Sequence, residues 1–66
     1  MQYAKWVTVT YGTGANDYIN YSITDAIVTE IAISVDTITV VFSNGANRVF
    51  NKLRLIWWDY EVLTQE

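Results

Sequence analysis

The sequence predicts an all-β chain, a small antiparallel sheet curled into a partly closed barrel of four to six strands. Three observations carry this. Residues 37–42 alternate Ile38, Val40 and Phe42 with Thr37, Thr39 and Val41, the period-two pattern of a half-buried strand. Asn44-Gly45 follows, a pair that tolerates the positive φ of a hairpin turn. The one stretch with helix-like spacing, residues 22–36, is dominated by β-branched residues, which are mildly unfavourable in helices.

The elements follow in chain order. Residues 3–11 set Val7 and Val9 against Trp6, Thr8 and Thr10 and read as a first strand. Residues 12–17, Gly-Thr-Gly-Ala-Asn-Asp, form the loop-rich cluster that reverses the chain. Residues 18–23 read as a short second strand with Tyr18 and Tyr21 as its bulky members. Between Ser22 and Asp36 the pattern is double. Ile23, Ile27, Ile31 and Val35 recur at helical spacing, while Ile27, Ile31, Ile33 and Val35 also alternate with polar or small residues. The β-branched composition favours a strand over 28–34, with room for one helical turn near 24–27. Val35-Asp36 then makes a tight turn into the strand beginning at Thr37. The tail, residues 62–66, ends polar and is expected to fray.

The hairpin at Asn44-Gly45 admits two registers. A two-residue loop pairs Phe42 with Asn47 and Val40 with Val49. It puts Val49, Leu53, Leu55 and Trp57 on the face of Ile38, Val40 and Phe42, and leaves Arg48, Phe50, Lys52 and Arg54 opposite. A three-residue loop with Gly45 in a bulge exchanges these faces and brings Phe50 inward. The first register is preferred here because it keeps all three charges in water. Past Arg54 the alternation fails, since Leu53, Leu55, Ile56, Trp57 and Trp58 are apolar at both parities. A first strand, a wide loop and a three-stranded meander together resemble the layout of small SH3-like barrels, without that family's motif residues.

The 66 residues are expected to form one domain. A chain this short buries about 60% of its unfolded surface, and ordering it costs roughly 1.5 kcal/mol per residue. It contains no Cys and no His, so no disulfide can form and a structural zinc site is not expected. A tight, aromatic-rich core or oligomerisation must compensate. The net charge of −3 lacks the basic surplus of a duplex-binding protein. No charged lead followed by a long apolar core opens the chain, and no run reaches membrane-span length. A cytoplasmic location, no membrane contact and no cofactor are the expectations. Asn20-Tyr21-Ser22 matches a glycosylation sequon, which carries no weight without a secretory lead.

Catalysis is not expected. The commonest general base and the best nucleophile are missing, and Ser22, Ser34 and Ser43 have no evident activator. Asp25 with Glu30, or Asp59 with Glu61, offers an acid–base pair on paper; a solvated strand edge is the simpler account. Gly12 and Gly14 offer backbone N–H groups to a phosphate, although a lone Gly-x-Gly lacks the third glycine and helix of a nucleotide fingerprint. Arg48, Lys52 and Arg54, interleaved with Phe50, make a thin version of a single-strand-binding stripe. The run Ile56-Trp57-Trp58-Asp59-Tyr60 is the strongest feature, because Trp and Tyr concentrate in interface hot spots. On the preferred register Ile56, Trp58 and Tyr60 continue the outward row that contains Phe50. These four residues are therefore the expected protein interface, with Trp57 in the core.

The resulting expectation is a non-enzymatic β-rich binding module acting through protein contacts, with itself as one partner in a homo-oligomer. The alternatives are an aromatic-groove binder of a small ligand or single-stranded nucleic acid, and a phage-type inhibitor that occludes a host protein.

Overall fold

The computed structural model describes residues 1–63; the expected fraying of the tail lies outside them from residue 64 onward. Among the described residues six strands form: β1 (Gln2–Thr10), β2 (Tyr18–Ser22), β3 (Val28–Ile33), β4 (Thr37–Phe42), β5 (Asn47–Asn51) and β6 (Trp57–Val62), with a 3-10 turn at Lys52–Arg54. They pair antiparallel in the order β2-β1-β3-β4-β5, with β6 also on β1. The all-β half-barrel expected from the sequence is what the chain forms.

β1 joins the two halves of the sheet. Its start pairs with β3, Gln2 opposite Ile33 and Tyr3 opposite Ala32. Its remainder, Trp6–Thr10, carries β2 on one edge and β6 on the other. A bulge between Ala4 and Trp6 lets this strand turn from one half to the other. The bulge also shifts the side-chain phase, so Ala4 and Val7, three residues apart, are both buried. A second bulge between Val28 and Glu30 does the same for Val28 and Ile31.

The core is aliphatic. Ala4, Val7, Val9, Val28, Ile31, Ile33, Ile38 and Val40 form one buried cluster, and each fully buried Val or Ile contributes roughly 1.5–3 kcal/mol. The aromatics do not fill this core, contrary to expectation; Tyr21, Phe42, Phe50, Trp58 and Tyr60 wall it instead, half-buried. Tyr21 sits edge-on to Phe42 at 5.7 Å between ring centroids and tilted to Phe50 at 6.2 Å.

The hairpin takes the register that the charge argument rejected. Val41 faces Asn47 and Ile38 faces Phe50. The loop is Ser43-Asn44-Gly45: Phe42 N–H donates to the Ala46 carbonyl at 2.8 Å, and Gly45 N–H to the Phe42 carbonyl at 3.0 Å. Gly45 has φ +89°, and among the described residues no side-chain-bearing residue has positive φ. A two-residue type I′ turn needs positive φ at both positions, whereas a three-residue loop needs it only at its last. Asn44 instead uses its side chain, accepting the Ala46 N–H at 2.9 Å. Bringing Arg48 to the inner face leaves no charge dry. Its guanidinium reaches out over the Phe50 ring, 4.9 Å from the centroid, and donates to the Tyr21 hydroxyl at 3.1 Å. Long side chains place their heads in water in this way.

The returning strand also stops earlier than the sequence suggests. The Asn51 side chain accepts the Leu53 N–H and caps the 3-10 turn. Lys52 N–H donates to the Asp36 carbonyl at 2.9 Å, and Leu55 N–H to the Lys52 carbonyl at 3.2 Å. The interruption breaks the alternation locally, leaving Leu55 against the core and Ile56 exposed, while β6 resumes the parity of β5. The region near 24–27 holds no helix: two successive tight turns close from Asp25 N–H to the Ser22 carbonyl and from Val28 N–H to the Asp25 carbonyl. The tight turn at Val35-Asp36 is present, closed by Ser34 N–H donating to the Thr37 carbonyl at 2.8 Å.

Candidate functional site

The bulged hairpin register inverts the expected arrangement of β6, because Phe50, Trp58 and Tyr60 share one parity and all turn inward. In the pairing with β1, Trp58 lies opposite Val9 and Tyr60 opposite Val7, and both valines are buried. Trp58 and Tyr60 therefore point into the half-barrel, as does Phe50 from β5. Tyr60 donates its hydroxyl to Gln2 Oε1 at 3.3 Å, and the Lys52 ammonium lies 5.3 Å from the Trp58 ring centroid. Three of the four expected interface residues thus face inward, and Trp57, expected in the core, is 66% exposed. Ile56 is exposed as expected.

Reading across β2, β1 and β6 defines what Trp57 shares a surface with. Directly paired residues project on one side of a sheet. Tyr18, Thr10 and Trp57 form one row, Asn20, Thr8 and Asp59 the next, and Ser22, Trp6 and Glu61 the third. All nine lie on the side opposite the core valines. With adjacent strands about 4.8 Å apart, Tyr18 and Trp57 stand about 10 Å apart across Thr10. Tyr18 is exposed and Trp6 half-exposed. The middle row is polar, and Asn20 Nδ2 donates to Thr8 Oγ1 at 2.7 Å. Asp59 accepts the Tyr60 N–H at 2.9 Å, and Glu61 pairs with Lys5 at 3.4 Å. The face thus carries two acids and one cation, framed by three large aromatics.

The other candidates are dispersed or already engaged. In the loop of Gly12 and Gly14, the Asp17 carboxylate accepts the Gly14 N–H at 3.0 Å, and a Cβ at either glycine would collide with that carboxylate. The loop is held by its own anion, which leaves a phosphate poorly placed to bind there. Arg48 stacks on Phe50, Lys52 donates to the Ser34 carbonyl at 2.6 Å, and Arg54 projects from the 3-10 turn. With the strand ending at Asn51, the three cations do not form the alternating stripe expected along one strand. Asp25 accepts the Ile27 N–H at 3.2 Å, and the Ser22 hydroxyl exchanges a 2.8 Å hydrogen bond with Thr24. Asp59 and Glu61 do share a face, as their parity predicts, each with a partner of its own. Among the described residues no three acidic side chains gather as a metal site, and no helix is long and apolar enough to cross a membrane.

No family model, curated protein or solved structure matches this chain. The sequence did carry one signal for the aromatic face. Trp6, Thr8 and Thr10 occupy the non-valine parity of β1, so the outer side of that strand was legible; its neighbours on the face depended on pairings that were not.

Proposed function

We propose that this chain is a non-enzymatic β module that works through protein contacts, with the outer face of β2, β1 and β6 as the surface that meets a partner and with self-association as a second property. One observation carries the reading. A Trp that is two-thirds exposed stands on a regular sheet face, across Thr10 from the exposed Tyr18 and two rows from Trp6, and large exposed aromatics grouped on one face and rimmed by polar residues mark interaction sites. Aromatic side chains on a rigid strand lose little entropy on docking and supply much of the energy of interface centres. Asp59 and Glu61 argue that the partner at this face is a different, more basic protein, because stacking two copies here would bring like charges together. The engaged acids and the absence of His and Cys from the sequence support a non-enzymatic role.

A photo-crosslinking residue at Thr8, the centre of the face, tests this in the source cell. It should capture a partner that the same residue at Val49 does not capture. Val49 is more exposed than Thr8, at 61%, but sits on β5, so capture through mere exposure would favour it. Trp57→Ser should abolish the Thr8 product. Equal capture from both positions would refute the assignment.

A further inference from the structure

The outer face is acidic and unsuited to self-stacking, so self-association needs another contact, and the structure offers a complementary pair. Leu53 is 91% exposed at the tip of the 3-10 turn. That turn is held from three sides, by the Asn51 cap, the Lys52–Asp36 backbone bond and the Leu55–Lys52 bond, so the leucine stands on a rigid knob. Its neighbour Arg54 is exposed and makes no ion pair among the described residues.

Elsewhere on the molecule, β1 parts from β3 to join β2, and the sheet splits. The fork leaves a half-open pocket of about 330 Å³ between Tyr3, Ala4, Ile23, Ile31 and Leu63, with Glu30 among the residues lining it. Glu30 is exposed and likewise has no cationic partner among the described residues. An apolar knob with an unpaired cation beside it thus matches a pocket of mixed polar and apolar lining whose one acid, Glu30, has no cationic partner among the described residues.

We infer that the Leu53–Arg54 turn of one copy docks into the fork pocket of a second copy, Leu53 entering the pocket and Arg54 pairing with Glu30. This deepens the self-association named above and rests on that part of the reading alone. Such a contact joins unlike surfaces, so it closes a ring when the two copies' knobs and pockets reciprocate and propagates when they do not. It is small beside a standard interface, which places the association in a weak, concentration-dependent range.

Sedimentation equilibrium of the full chain from micromolar to millimolar concentration reads it out. The wild type should show a mass that rises with concentration. Leu53→Asp should weaken association by about tenfold or more, because a charge replaces the buried apolar group. Glu30→Arg should weaken it as well, and the double variant Glu30→Arg with Arg54→Glu should restore it. All three positions are exposed, so thermal unfolding should confirm that each variant still folds. A wild type that stays monomeric throughout, or a self-association indifferent to Leu53→Asp, overturns the inference. Failure of the double variant to restore association overturns the Arg54–Glu30 pairing. Trp57→Ser should leave the sedimentation unchanged while abolishing partner capture at Thr8, which separates this contact from the aromatic face.

Discussion

Replacing Gly45 by valine tests the hairpin on which β4 and β5 depend. A Cβ built at Gly45 meets no atom within 4 Å, yet the residue holds φ +89°. The neighbours contribute no clash, so the whole penalty is the backbone's. Left-handed backbone costs an L-residue about 1–2 kcal/mol, and a β-branched side chain sits at the upper end. In a domain of this size each 1 kcal/mol lowers Tm by about 4–8 °C. Gly45→Val should therefore lower Tm by on the order of 5–15 °C, followed by circular dichroism in one buffer. Gly45→Asn should lose least among L-residues, since Asn visits this region readily. D-alanine at position 45, introduced by chemical synthesis, should match or exceed the wild type, because its chirality favours positive φ and it narrows the unfolded ensemble. A Gly45→Val chain as stable as wild type, or a D-alanine chain as weak as the valine variant, would refute the bulged three-residue loop.

Other substitutions probe register and phase. Phe50→Ala should cost about 2–3 kcal/mol in denaturant unfolding, short of the 3–5 typical of a fully buried aromatic, while Val49→Ala stays within about 1 kcal/mol; the reverse order would restore the two-residue loop. Trp58→Ala should destabilise by about 2–4 kcal/mol and Trp57→Ala by less than about 1 kcal/mol, again read from denaturant midpoints. Asp17→Ala removes the acceptor of the Gly14 N–H and should speed amide hydrogen exchange across residues 11–17 with only a small change in global stability. Lys5→Ala should cost under 1 kcal/mol and lose its effect in high salt, because both partners of the Lys5–Glu61 pair are about half exposed.

The sequence carried the strands well and their relative phase poorly. Val7 with Val9, and Ile38 with Val40, announce their strands and their buried side, since alternation is a local property. The bulges at Lys5 and Thr29 are not local in this sense: each answers a partner strand far away in sequence, and nothing in their own residues marks them. The hairpin shows the same limit. Asn44-Gly45 located the turn, but the choice between loops depended on whether Arg48 could sit on the inner face and still reach water, which Phe50 and Tyr21 decide. That one register choice was also the costliest error. With Phe50 placed outward, counting by two down the chain put Trp58 and Tyr60 outward as well, exchanged Trp57 with Trp58 and moved the expected interface to the wrong side of β6. The Asn51 cap ends β5 and starts the 3-10 turn, yet Phe50 before it and Trp58 and Tyr60 after it share one inward parity, so the bulged loop alone would have placed β6 correctly.

The proposed docking role requires Trp57 to face outward while Trp58 packs against the chain's own core. Hydroxyl-radical footprinting read by mass spectrometry measures both at once. In the isolated chain Trp57 should be oxidised several times faster than Trp58, and in the complex recovered by crosslinking at Thr8, Trp57 should become protected while Trp58 changes little. Faster oxidation of Trp58 in the isolated chain, or a Trp57 that remains equally reactive in the complex, would contradict it.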